Sequence, residues 1–141
     1  MLTSYKIDLA NDCRDAANCT NEPFNSVFIE VSGESTIDSE SYQEFEQENH
    51  CEGSGVGCSN DGGNSISLVA LDQSSINSDA VQTAADENNC EGGGTFCGNV
   101  DFNTIDIDAV GDSDVDSNSR QNIESTNNCE DGAFCLNNGD F

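Results

Sequence analysis

The chain of 141 residues has no tryptophan, one proline, one histidine and three basic residues, Lys6, Arg14 and Arg120. Each scarcity argues against a class of function. With almost no positive side chains, little here can neutralise phosphates, so no nucleic-acid partner is expected. Attraction to an anionic membrane surface fails for the same reason. No stretch approaches the roughly 18 to 20 apolar residues of a membrane helix, so no membrane insertion is expected either. One histidine, His50, leaves no Ser/His/Asp or Cys/His constellation, and no glycine-rich loop joins a strand to a helix. Paired carboxylates can hydrolyse glycosides, but acids lie everywhere here and no pair stands out. The chain is therefore expected not to be an enzyme. Hydrophobic residues are also few, at 34%, against a formal net charge of −25. Such a composition ordinarily means disorder, so something other than a large apolar core has to order this chain.

Cysteine is abundant. The eight cysteines are Cys13, Cys19, Cys51, Cys58, Cys90, Cys97, Cys129 and Cys135. An even number at regular spacing in a polar chain predicts a disulfide framework and an oxidising compartment, extracellular or at the cell surface. Nothing at Met1 reads as a signal peptide. A secreted chain needs one, so the sequence is expected to be a mature form or part of a longer protein. The simplest pairing joins neighbours across short glycine-bearing loops: Cys13–Cys19, Cys51–Cys58, Cys90–Cys97 and Cys129–Cys135. Pairing between successive units, which would staple them lengthwise, is the alternative. Zinc or iron–sulfur binding is not expected, because there is no CxxC and only one histidine.

The spacing is a repeat of 38 or 39 residues. Other columns keep the same step: Asn25, Asn64, Asn103; Ile37, Ile76, Val115; Ser39, Ser78, Ser117; Gln43, Gln82, Gln121. Asn11, Asn49, Asn88 and Asn127 each precede a first cysteine by two residues. The units divide as a half repeat (1–12), three repeats (13–50, 51–89, 90–128) and a terminal Cys loop (129–141), forming one repeat domain. Within a unit, Ile66, Leu68 and Ala70 alternate with polar residues, as do Val27, Ile29, Val31 and Ile105, Ile107, Ala109. That is the period of a β-strand. A turn at Gly33, Asp72 or Gly111 leads to a second alternating stretch, for example Ile37 to Phe45. The fold class expected is all-β, a β-solenoid or stack of β-arches with about 39 residues per repeat and one disulfide-bearing loop in each. An antiparallel meander of hairpins remains the alternative geometry. Stacked Gln43, Gln82, Gln121 amides, and the Ser39, Ser78, Ser117 hydroxyls, are expected to hydrogen-bond along the stack and so satisfy buried polar groups.

The Ser39-to-Gln43, Ser78-to-Gln82 and Ser117-to-Gln121 spacing, followed by Asn49, Asn88 and Asn127, loosely resembles the strand-turn-strand repeats of curlin-type secreted fibre proteins. The chain is also similar to Asn/Gln-rich, cysteine-containing repeat proteins of prokaryotic cell surfaces. Curlin repeats are shorter and lack the cysteine pair. The resemblance implies shared stacking and a fibre role: a structural subunit of an extracellular filament, sheath or matrix, with copies of itself as head-to-tail partners. The half-unit at the front and the Cys loop at the back are what such assembly needs, or what a cut from a longer array leaves. The other function considered is a monomeric calcium-dependent adhesion or binding module of a cell-surface protein. No cofactor is expected unless it is calcium, for which Asp112, Asp114, Asp116 and Asn118 have spaced oxygen ligands. Ser117 stands where a calcium loop needs glycine, however, and a solvated acidic strand face explains the same residues. Asn18-Cys19-Thr20 is a glycosylation sequon at Asn18 with a half-cystine at its centre.

Overall fold

A computed structural model of the chain describes residues 2–14 and 18–140. Among them are nine strands: β1 (Leu2–Arg14), β2 (Asn18–Asn21), β3 (Phe24–Val31), β4 (Thr36–Glu52), β5 (Gly57–Leu71), β6 (Ser75–Glu91), β7 (Phe96–Val110), β8 (Asp114–Glu130) and β9 (Phe134–Asp140). They form two sheets, one in the order β1-β4-β6-β8 and the other β2-β5-β7-β9 with β3 also on β5. Every pairing is parallel. The chain is thus an all-β solenoid of about 3 turns, with equivalent positions ~39 residues apart. A hairpin meander would have paired sequential strands antiparallel. Here sequential strands face each other across the interior, and each pairs with its equivalent one turn away.

The register follows the repeat. Ile37 lies beside Ile76, Gln43 beside Gln82 and Cys51 beside Cys90, and these continue to Val115, Gln121 and Cys129. The shorter spacing at the two ends is absorbed in the Cys loops. Cys13 and Cys19 are 6 apart where Cys51 and Cys58 are 7 apart, so the missing residue lies in a loop and no strand slips. A one-residue slip would have turned every side chain to the wrong face.

Two kinds of corner close each turn. The short corner uses left-handed backbone at Gly33 (φ 75°) and Gly111 (φ 80°), but in the middle turn at Asp72 (φ 55°) and Gln73 (φ 67°). In the Cys corner, a Cβ on Gly92 would sit 2.1 Å from the Gly53 carbonyl oxygen of the turn below. Only glycine lets the loops stack that closely.

Strand alternation sorts the side chains. In β3 the burial alternates without exception from Phe24 to Val31. The interior is divided along its length. Next to the short corner lies an aliphatic cluster of Val27, Ile29, Val31, Ile66, Leu68, Ala70, Ile76 and Ala80. Next to the Cys corner, the half-cystines cluster with Val56. Between them the interior is mostly amide: Gln43, Asn49, Asn60, Asn64, Gln82, Asn88, Asn99 and Asn103 are all 0% exposed. Phe45 fits among them because Gly62 faces it; a Cβ there would lie 2.6 Å from the ring.

The outer faces differ as well. The β1-β4-β6-β8 sheet exposes acids such as Glu40, Glu46, Glu48, Asp79 and Glu87. The other sheet exposes Phe24, Phe96, Val100, Phe134 and Leu136, with Phe24 6.1 Å from Phe102 and Phe96 stacked 5.7 Å from Phe134.

Candidate functional site

The column of cysteines marks one margin of the candidate site. Cys13–Cys19, Cys51–Cys58, Cys90–Cys97 and Cys129–Cys135 are joined within their own loops, with Cα atoms 6.2 to 6.7 Å apart. Each ties the end of one sheet's strand to the start of the other's. Closing so short a loop stabilises by about 2 to 3 kcal/mol when unstrained. Four disulfides fit a non-reducing, extracellular setting. No helix long and apolar enough to cross a membrane is present among the described residues.

Two asparagine columns stand directly inside the cysteines. Asn11, Asn49, Asn88 and Asn127 come from one sheet; Asn21, Asn60, Asn99 and Asn137 come from the other. Asn49 Nδ2 donates across the interior to Asn60 Oδ1 (2.7 Å) and up the stack to Asn88 Oδ1 (3.1 Å). Asn60 Nδ2 donates to Asn88 Oδ1 and to Asn99 Oδ1, both at 3.2 Å. The pattern begins with Asn11 donating to Asn21 (2.7 Å) and runs on through Asn88 to Asn127 (3.0 Å) and Asn99 to Asn137 (3.1 Å). A third column climbs from Asn25 to Asn64 to Asn103 at 2.9 Å per step. Its second amide hydrogen crosses to a backbone carbonyl of the facing sheet, at Glu44, Thr83 and Asn122. An amide carries two donors and an acceptor oxygen, so it can donate both along the stack and across the interior at once, which a hydroxyl with its single donor cannot.

The glutamine ladder forms. Gln82 Nε2 donates to Gln43 Oε1 and Gln121 Nε2 to Gln82 Oε1, each at 3.0 Å, and Gln43 and Gln82 also reach the Ser65 and Thr104 carbonyls. The serine column does not form a ladder. Ser39, Ser78 and Ser117 are in register, but the Ser39 and Ser78 hydroxyls are buried without a hydrogen-bond partner, and Ser117 bonds Ser119 instead (2.7 Å). Strands ~4.8 Å apart place equivalent Cβ atoms that far apart too, and the short serine side chain does not bridge the gap.

The Asn21, Asn60, Asn99 and Asn137 column was not among the expected ladder residues. Its sequence signal is plain in retrospect: each second cysteine is followed two residues later by asparagine. With the asparagine two before the first cysteine, the motif is Asn-x-Cys…Cys-x-Asn, symmetric about the loop.

One interior column changes its chemistry from layer to layer. Gln47 on β4 lies beside Asp86 on β6, which lies beside Ser125 on β8. Facing them on β7 is Asp101, which accepts a hydrogen bond from the Ser125 hydroxyl (2.9 Å). Asp86 is 4% exposed and Asp101 1%. Burial, then the neighbouring Asp101 carboxyl, pushes the Asp86 carboxyl up to about 9, and burial also raises Asp101.

The candidate calcium ligands lie elsewhere. Asp112 is in the exposed short corner; Asp114, Asp116 and Asn118 alternate along the outer face of β8. In an extended strand, alternate residues are ~6.6 to 6.8 Å apart, so these carboxylates are spread out and do not converge, and Asn118 donates to Asp79 (3.0 Å). Asn18 is exposed at the start of β2, beside its half-cystine. Over the acidic sheet runs an open groove of ≈ 430 Å³, lined by residues including Asp8, Glu46, Glu48, Glu87 and Glu124.

Comparison with protein-family models, curated proteins and solved structures finds no match to this chain.

Proposed function

We propose that the chain is a structural subunit of an extracellular filament, sheath or matrix fibre at the cell surface, adding to copies of itself head to tail by strand stacking. The observation that carries this reading is the in-register parallel stack. Backbone, amide ladders and disulfide column all repeat along one axis, so a layer that fits the layer below it presents the same pattern above.

The two edges of the first sheet are compatible. β1 and β8 occupy the same columns, through β4 and β6. A copy placed with its β1 on β8 would set Ile7 beside Ile123 and Asn11 beside Asn127, extending an apolar and an amide column. Arg14 would fall beside Glu130. Two of the three basic residues, Lys6 and Arg14, lie on β1, where they moderate like-charge repulsion between successive acidic layers. An open-ended contact of this kind gives filaments, not closed rings.

Fibre diffraction and electron microscopy on the oxidised protein test the reading. Long filaments with an axial reflection near ~4.7 to 4.8 Å are expected. Ile7→Lys and Ile123→Lys each place a charge in an edge column where the next layer would pack. Both are expected to abolish filaments while leaving the circular dichroism of the single chain unchanged. Compact monomers under all conditions would overturn the proposal and favour the second reading, a monomeric calcium-dependent adhesion module using the acidic outer face.

A further inference from the structure

The Gln47, Asp86, Asp101 and Ser125 cluster is used by neither the amide ladders nor the disulfides. Its chemistry is incomplete as it stands. The Asp86 carboxyl lies close enough to Asp101 and Gln47 to interact with both, yet both atoms of the Gln47 amide, both oxygens of Asp86 and Oδ1 of Asp101 are buried without a hydrogen bond of good geometry. Gln47 itself is 3% exposed. Elsewhere in the interior nearly every amide is bonded, so this concentration of orphaned atoms in one place is unlike the rest of the stack. Buried polar groups without partners are destabilising and rare, and a buried carboxylate more so.

The neighbouring layers do not share the feature. Asp101 lies beside Gly62 on β5, and a Cβ on Gly62 would lie 2.6 Å from Gln47 Nε2. The missing side chain therefore lets the Gln47 amide reach across the interior, below the two acids. In the layer of β1, the position of Gln47 is taken by Leu9. The acid pair is a local departure from the repeat, confined to one turn.

We propose that Gln47, Asp86, Asp101 and Ser125 form an interior site for one hard divalent cation of the calcium type. The available donors are all oxygens: the Gln47 carbonyl, the two Asp86 oxygens, the Asp101 carboxylate and the Ser125 hydroxyl. Oxygen ligation is what such a cation requires, and its shell of 6 to 8 ligands is completed by water. Two carboxylates balance the ion's charge, which removes the reason a buried acid pair is otherwise unfavourable. Ser125, half-buried in the edge strand β8, puts the site one layer from the end of the described stack.

Calcium titration of the full oxidised chain, kept at concentrations where it is monomeric, tests this apart from any filament. Wild type, Asp86→Asn and Asp101→Asn are compared at pH 7.5 by calorimetry and by thermal melting, against chelator. Both variants keep a neutral side chain of the same shape and are expected to fold. Wild type is expected to show one saturable site, with a dissociation constant of about 0.1 to 1 mM as in extracellular modules, and a rise in Tm. Each variant is expected to lose that step, retaining only the weak binding of the outer acids. Equal calcium responses in all three proteins would overturn the proposal.

Discussion

The two halves of the solenoid interior hold the same backbone together by different means. Toward the short corner, Ile66, Leu68, Ala70 and their neighbours bury apolar surface, a non-directional force that needs only the right volume. Toward the Cys corner, Asn49, Asn60, Asn88 and Asn99 bury amides whose bonds depend on register. An aliphatic column tolerates exchange, as Ile37, Ile76 and Val115 show. The asparagine columns do not vary within the chain. A buried amide facing a different side chain would be left unbonded, so the amide half specifies alignment while the aliphatic half supplies general cohesion.

Reducing the disulfides should distinguish the halves most sharply. At about 2 to 3 kcal/mol for each short loop, losing all four removes an amount comparable with the ~5 to 15 kcal/mol stability of an ordinary domain. Loss of the β-sheet circular dichroism on adding reductant is the expected outcome. Retention would mean the amide columns hold their half unaided.

Single truncations compare the halves directly. Leu68→Ala is expected to destabilise by about 2 to 5 kcal/mol through lost burial and a residual cavity. Asn60→Ala strands partners on several sides, at about 1 to 3 kcal/mol for a buried group left unbonded. The discriminating measurement is the double-mutant cycle in urea denaturation. Asn60→Ala with Asn49→Ala should be strongly non-additive, because the two share one network. Asn60→Ala with Leu68→Ala should be close to additive, since they share no partner.

Asp86→Asn examines the one layer where the amide pattern fails. The Asp86 pKa is raised in the folded chain from 3.8 to about 9, so the folded state binds more protons than the unfolded state between those values. Without a bound cation, wild-type stability on this account is greatest below pH ~4, declines as pH rises, and carries the full penalty above pH ~9. Asp86→Asn should therefore be more stable than wild type at pH 8 in chelator and match it near pH 3.5. Denaturation curves at the two pH values check this.

The smallest effect lies at the corners. Gln73, next to Asp72 at the position that Gly33 and Gly111 occupy in the other turns, holds a left-handed conformation that glycine adopts freely. Relief of roughly 1 kcal/mol of backbone strain is partly offset by the flexibility of glycine in the unfolded chain. A small increase in the thermal midpoint is expected for Gln73→Gly.

Much of this architecture is visible in the order of residues. The step of 38 or 39 places Ile37 on Ile76 and Gln43 on Gln82 before any coordinates, because a repeat that stacks must superpose equivalent positions. The glutamine ladder was legible on the same logic. The serine ladder was misread, since periodicity records which residues coincide but not whether a side chain is long enough to bridge adjacent strands. The Asp86–Asp101 pair was illegible for another reason: alternation past Gln82 and Ala84 turns Asp86 inward, and the same rule buries Asp101 between Asn99 and Asn103, but the pair breaks the repeat and nothing in the order of residues shows that the two face each other.

By itself, the sequence determined the repeat, the alternation of buried and exposed positions and the four short cysteine loops. These are properties of residues near one another or one period apart. Only the tertiary structure decided that strands face across the interior instead of pairing as hairpins, that asparagines flanking each disulfide join into one network, and that Gln47, Asp86, Asp101 and Ser125 meet. Those outcomes depend on which residues of the two sheets lie opposite each other, and that alignment is set when the corners close and the layers stack.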